Sequence, residues 1–240
     1  MRLVEISEKE FTYGRSLNLG AISARHDVIV NLSAHAFPKD STWLKKLTTP
    51  FSDDNVAGVY GRQLSDGNVN PFEAFQNDQF FGPRSMKFNL MDKRLLKRIH
   101  FSNSNCAVRK DVWQRFRFNE QVSYAEDILW QMEVLNAGFA IIYECDAAVY
   151  HTHEVDLHRA YKNSRDCAYT LALVDEKSRA IRRIIFDVAV FIGLIPNSLL
   201  QNTIYVWRRG FNKYLKVVPF FVLSSLFGWL VGRLQYTLTG

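Results

Sequence analysis

The order of apolar and polar positions divides the chain into short apolar runs, helical stripes and a long apolar tail. Val28 to Leu32 is a β-branched, largely apolar run that follows a helix-like segment and stops abruptly at Ser33-Ala34-His35, with Pro38 just beyond. Such a run between helical segments predicts a buried strand of a parallel α/β sheet, whose ligands bind beyond the carboxyl ends of the strands. Leu3 to Ile6 predicts an earlier strand, and Arg15 to Arg25 a helix with Leu17, Ala21 and Ala24 on one stripe. A short helix with Trp43, Leu44 and Leu47 ends at Pro50, and Val56 to Gln63 is the next strand.

From Leu64 to about His100 the pattern fades into polar residues, glycine, proline and scattered aromatics, which predicts a long functional or mobile loop. Phe75, Phe80 and Phe81 within it are candidates for stacking on sugars or for anchoring in the core. Phe101 to Arg109 predicts a strand with small polar residues at its start, leading into a helix from Lys110 to Gln114. Ile128, Met132 and Leu135 mark an amphipathic helix that opens at Glu126-Asp127 and stops at Gly138. Ala140 to Tyr143 and Ala147 to Tyr150 predict two short strands that deliver His151-Thr152-His153, and on a strand positions i and i+2 share a face.

The tail differs in kind. Ile184 to Ile195 is apolar except for Asp187, and Leu200, Ile204, Trp207, Phe211 and Leu215 fall on one helical stripe opposite Arg209, Lys213 and Lys216. Val217 to Gly232 is an uncharged run of 16 residues with Pro219 near its start. A crossing helix needs about 20 residues, so an interfacial or docked helix is expected. The net charge of +6 belongs to this part: residues 158–240 hold 12 Lys and Arg against 4 acids, and the preceding 157 residues 18 against 20. Cations beside apolar runs point to an anionic membrane surface rather than to nucleic acid, for which no motif is present. Helices packed on the rest of the chain or in an oligomer are the alternative.

Composition sets the outer bounds. With 48% hydrophobic and 22% charged residues the chain is globular, not disordered. Cys106, Cys145 and Cys167 form neither a CxxC pair nor a disulfide framework, which favours a reducing compartment. Met1 to Glu5 is charged too early for a cleavable signal.

As an ordered set, Phe11, Gly14 and Asn18 before the first site strand, its His35 tip, Val56 to Gln63, and Glu126-Asp127 followed by Gly138-Phe139 and His-x-His resemble the family 2 glycosyltransferases, in particular their rhamnosyltransferase-like branch. The resemblance covers about residues 3–157. It implies an α/β chain: an incomplete GT-A, Rossmann-like mixed sheet flanked by helices (1–157), followed by a basic, apolar helical tail (158–240). The implied activity is inverting transfer of a sugar, rhamnose among the candidates, from a nucleotide-diphosphate donor to a glycan or lipid-linked acceptor in polysaccharide biosynthesis. The expected location is the cytoplasmic face of the cell membrane. A catalytically inactive remnant that binds a membrane or partner is the alternative.

The resemblance also implies site residues. Asp127 is the expected catalytic base and Glu126 its orienting or capping neighbour, although acids at a helix start also complement the helix dipole without any catalytic duty. Gly14, Asn18, Ser33 and His35 are expected on the donor side; for Gly14 and Asn18 a turn and a helix surface are the plain alternative. Asn103, Ser104 and Asn105 are expected on the acceptor side, or else as solvated residues of an edge strand. His35 stands where the family carries a metal-binding aspartate, and with His151 and His153 it is a candidate ligand set for Mn or Mg. The imidazoles favour Mn, because Mg prefers oxygen. Histidines bonded to backbone are the alternative. Family members open with a strand-helix-strand unit that reads the nucleotide base, and this chain starts after it. The expected consequences are an exposed edge at Val28 to Leu32, weak binding of nucleotide sugars by the chain alone, and self-association or a complementing N-terminal chain.

Overall fold

The computed structural model of the protein describes residues 3–90, 100–173 and 181–239. Residues 91–99 of the expected loop and 174–180 of the tail therefore lie outside the described residues. Two compact units are present: Met1–Asp66 with Gln76–Thr152, and Gly67–Phe75 with His153–Gly240. The second unit thus takes in Gly67–Phe75 as well as the chain from His153 onward.

The first unit is a mixed sheet between helices. Its strands are β1 (Val28–Leu32), β2 (Phe37–Pro38), β3 (Val56–Leu64), β4 (Met86–Phe88), β5 (Asn105–Arg109) and β6 (Ala140–Tyr150), in the order β1-β5-β3-β6-β2 with β4 also on β6. Among the described residues only β3 and β6 pair in parallel; β5 runs antiparallel to both β1 and β3. The expectation of a buried parallel strand at Val28 to Leu32 is thus corrected. Among the described residues β1 pairs with β5 alone and lies at the sheet edge; Ile29 is buried while Val30 and Leu32 are exposed. An edge strand has one neighbour to cover it; β3, flanked on both sides, is buried from Val56 to Gly61. Leu3 to Ile6 forms no strand and leaves Leu3 and Val4 exposed.

Helices cover both faces. Against one pack α1 (Tyr13–Ser23), α4 (Lys110–Arg115) and α5 (Glu126–Asn136), which bring Ala21, Trp113, Trp130 and Val134 into a cluster with Tyr60, Cys106 and Tyr143. Against the other packs α2 (Trp43–Thr48), with Trp43 and Leu47 beside Val59, Ala107 and Val149. The polar stretch after Leu64 is not a structureless loop: it holds α3 (Pro71–Phe80) and β4. Phe81 is buried in the core, and Phe80, though exposed, stacks on His100. The two short strands expected at Ala140 to Tyr150 are one strand, β6, whose pairing shifts register between Gly61 and Gln63 of β3. That irregularity absorbs the polar interruption Glu144-Cys145-Asp146 without ending the strand.

The pairings carry a consequence for function. The carboxyl ends of β1, β3 and β6 and the amino end of β5 all lie along one edge of the sheet. Residues before β5 and after β1, β3 and β6 therefore converge there.

The second unit is helical, with α6 (Leu157–Leu173), α7 (Ile181–Arg208) and α8 (Val218–Thr239). Phe72, Val206, Val218, Phe221 and Val222 form its core, with Phe72 and Phe221 stacked at 4.1 Å. Phe75 packs on Tyr205 within the same unit. The 16-residue run judged too short for a crossing belongs to a longer helix. Its continuation passes Arg233, whose Nε donates to Asp187 Oδ2 of α7 at 3.4 Å, both side chains being buried. By length and composition, Ile184–Arg208 and Asn212–Leu238 are each able to cross a membrane, with mean hydropathy of 1.8. Ile185, Phe186, Ile192, Leu200 and Trp207 of α7 are exposed.

Candidate functional site

The acid pair sits at the start of α5. Gly138, at φ 91°, supplies the left-handed residue that stops this helix, as its position in the sequence predicts. At the other end Ala125, at φ 66°, is the one left-handed non-glycine residue among those described. A β-carbon in this region costs of order 1 kcal/mol, and such strain concentrates at functional sites. The twist leads directly into Glu126 and Asp127. Glu126 is buried and Asp127 partly so.

Both acids are held by the turn before β5. The backbone N–H of Asn103 donates to Asp127 Oδ2 at 3.2 Å, and its side-chain Nδ2 donates to Glu126 Oε1 at 3.1 Å. The amide of Ile128 donates to Asp127 Oδ1 at 2.8 Å. Burial, then the charge of Glu126 beside it, push Asp127 up to about 8. Burial also raises Glu126, against the pull of its bond from Asn103. Two carboxyls in so dry a place resist ionising together. The result is an acid that exchanges its proton near neutral pH, as a general base requires.

The histidine cluster lies along the same sheet edge. His35, after β1, and His151, after β6, bring their Nε2 atoms to 2.9 Å, with the rings stacked at 4.6 Å. Ser33 Oγ meets His35 Nδ1 at 3.2 Å and so orients that ring. His151 is buried and its backbone N–H donates to Leu64 O at the end of β3. In the second unit His153 meets Glu73, its Nδ1 at 2.9 Å from Oε1 and its backbone N–H at 2.8 Å from Oε2. A carboxylate on Nδ1–H puts the lone pair on Nε2, the usual state of a ligating histidine. Two close imidazole nitrogens suit a transition cation about 2 Å from each better than they suit Mg.

Several expected site residues carry contacts of the fold. Asn18 is buried and fully engaged: Nδ2 donates to Phe118 O and Glu120 Oε1, while Oδ1 accepts from Trp113 Nε1 and the Phe118 amide. Gly14 is required because a β-carbon there would lie 2.1 Å from Asn119 O. Together they clasp α1 to residues 118–120. Asn105 is buried at 0% exposure, accepting from Trp43 Nε1 and donating to Arg62 O and Ala147 O. It knits β5 to α2, β3 and β6. Ser104 contributes its carbonyl to the Ser33 amide, which ties the β5 turn to the β1 exit. Asn103 does reach the site, but its side chain holds Glu126.

Sequence reasoning passed over Asn31, Cys106 and Gln63. Asn31 Nδ2 donates to Asn103 Oδ1 at 3.4 Å, Cys106 Sγ donates to the same oxygen at 3.4 Å, and Gln63 Nε2 donates to Ser102 Oγ at 2.8 Å. A polar residue interrupting a β-branched run was the available signal for Asn31.

Residues 10–169 match the family model described as Glycosyltransferase like family 2. The chain belongs to that family. Among its family 2 relatives are the O-antigen chain rhamnosyltransferases RfbN of Salmonella typhimurium (strain LT2) and WbaN of Salmonella anatum, 32% and 31% identical over 155 residues. Each alignment takes in 63% of this chain and 49% of the relative. The chain thus spans about half the length of the curated relatives it matches. The architecture is the GT-A fold. It is shared with the mannosyltransferase PcManGT from Pyrobaculum calidifontis, solved in complex with GDP-Man and Mn2+, at a TM-score of 0.52 and 13% identity, over 94% of this chain and 66% of that one.

Proposed function

We propose that the chain serves inverting transfer of a sugar, rhamnose in the first instance, from a nucleotide-diphosphate donor to a glycan or lipid-linked acceptor in polysaccharide biosynthesis. The observation that carries this reading is Asp127, an acid pushed up to about 8 and aligned by two backbone amides at the ligand-binding edge of the sheet. An acceptor hydroxyl attacks the anomeric carbon; the new C–O bond forms as the bond to the diphosphate oxygen breaks on the opposite face. Asp127 takes the hydroxyl proton during that attack. Glu126 remains beside it as a fixed charge rather than a second catalyst, since transfer to a hydroxyl needs one base.

The histidine pair supports a divalent cation, Mn before Mg, held by His35 and His151. His153 shares the His-x-His motif with His151, and within the second unit its Glu73 contact leaves Nε2 as the ring atom suited to a ligand. When bound, the cation would offset the negative charge of the departing diphosphate. Ser33 orients His35 for that duty. The names of the Salmonella relatives support a rhamnosyl donor and an O-antigen-like product. The exposed apolar face of α7 and the cations at 208–216 support contact with an anionic membrane at its cytoplasmic side. The alternative of an inactive remnant is not favoured, because an acid pair kept raised by burial has no structural use that a neutral residue would not serve better.

Turnover of a nucleotide-diphosphate rhamnose in the presence of Mn, compared between the chain and Asp127→Asn, tests the reading. Loss of transfer in a folded variant is expected. Equal turnover by both would remove Asp127 from the mechanism. Flotation with anionic vesicles tests the membrane contact, which added salt should weaken.

A further inference from the structure

Gln131 lies four residues beyond Asp127 in α5, on the same helical face. It is buried, at 6% exposure, and its Oε1 accepts the backbone N–H of Phe101 at 2.9 Å. Asp127 Oδ2 accepts the backbone N–H of Asn103 at 3.2 Å. Alternate amides of the segment before β5 are thus received by two side chains one turn apart on one helix. The spacings match, since four helical residues advance about 6 Å and two residues of extended chain about 6.6 Å. The segment passes α5 in the opposite direction, with 101 beside 131 and 103 beside 127.

Phe101 is fully buried, its ring packed on Trp130 at 4.9 Å and on Tyr60 at 5.7 Å. Its amide therefore needs an acceptor from the protein, and Gln131 supplies one. Without that acceptor, residues 101–103 turn to satisfy the amide elsewhere and draw the Asn103 N–H off Asp127. The Asn103 side chain does not prevent this, because its bond to Glu126 leaves the backbone free to rotate. We propose that Gln131 is a positioning residue: with Asp127 it clamps the segment before β5 in register with α5 and so keeps the Asn103 N–H on Asp127. The effect on the reaction is geometric. The Asn103 amide on Oδ2 and the Ile128 amide on Oδ1 together fix the carboxyl plane, and with it the direction from which a hydroxyl can hand over its proton. With the first amide gone, the carboxyl turns about a bond whose rotamer wells are broad, and in-line encounters become fewer. A glutamine suits the position because it accepts the N–H without adding a third charge beside two acids.

This inference rests on the reading of Asp127 as the base, yet its first readout needs no substrate. In the full chain labelled with 15N, exchange of the Phe101 and Asn103 amides in D2O is followed by NMR. The unaltered chain should protect both. Gln131→Met, close in length and volume but without a comparable acceptor, should speed exchange at both by about 10-fold or more, whereas Gln131→Glu, which keeps an oxygen at the same reach, should preserve protection. In turnover of a nucleotide-diphosphate rhamnose with Mn, Gln131→Met should lower kcat by about 10-fold or more and leave KM for the donor nearly unaltered. A merely structural glutamine would lower the melting temperature but leave the Asn103 amide and the kcat of the folded chain as they were, and that result would overturn the proposal. So would an Asn103 amide released with no fall in kcat. Should Gln131→Met not fold, Gln131→Asn, one methylene short of the Phe101 amide, takes its place with the same expectations and the same refuting results. Loss of transfer in Asp127→Asn alongside unaltered Asn103 exchange in the Gln131 variant would reject the clamp and leave the base standing.

Discussion

Replacing the base should make the protein more stable at neutral pH and less stable in acid. In the folded chain Asp127 titrates at about 8, against 3.8 for an ordinary aspartate such as the unfolded chain presents. Below pH 3.8 both states hold the proton and the difference contributes nothing. As pH rises the unfolded chain releases its proton while the folded chain keeps it, so folding stability falls until pH passes about 8 and then levels off. At pH 7 the accumulated penalty is roughly 4 kcal/mol as an upper figure, from about 1.4 kcal/mol for every pH unit above the ordinary value. Asp127→Asn removes it. The variant keeps one carbonyl oxygen for the amides of Asn103 and Ile128 and turns an NH2 toward the other, a loss of about 1–2 kcal/mol. The net is a gain of about 2 kcal/mol at pH 7 and a loss of about 1–2 kcal/mol at pH 4. Urea unfolding is followed by tryptophan fluorescence in a background carrying Trp207→Phe and Trp229→Phe, which leaves Trp43, Trp113 and Trp130 to report the first unit. The two stability curves should cross between pH 4 and 7. A difference that stays flat over that range would refute the raised acid and the reasoning built on it.

Three further outcomes are expected. The pH profile of kcat/KM should rise through about 8 as Asp127 loses its proton, and Glu126→Gln should move that rise to lower pH; a profile with no step between pH 6 and 9 would contradict the assignment. His35→Ala and His151→Ala should each weaken Mn binding, measured by calorimetry or paramagnetic line broadening, by at least about 10-fold, while His158→Ala, outside the cluster, should not. Gly14→Ala should lower the melting temperature, with a cost of about 1–3 kcal/mol, because its β-carbon would meet a backbone carbonyl at 2.1 Å; unaltered melting would show that residues 118–120 yield freely.

What the sequence determined by itself was local. The period of Ile128, Met132 and Leu135, the acids ahead of them and Gly138 behind them were enough to define α5, because helix termini and periodicity depend on residues within a few positions. The same holds for α1, for the strand at Val56 and for the placing of His35 and His151 after strands. What runs between distant segments was decided only in three dimensions. The orientation of β1 depended on its partner β5, some 75 residues away, and a short apolar run carries no mark of parallel or antiparallel pairing. Asn18, Asn103 and Asn105 look alike in sequence, yet their partners made Asn18 and Asn105 buried clasps and Asn103 the support of an acid pair. The proton affinity of Asp127 was likewise invisible, since it comes from burial and from the charge of Glu126 in a dry setting, and neither exists until the chain has folded.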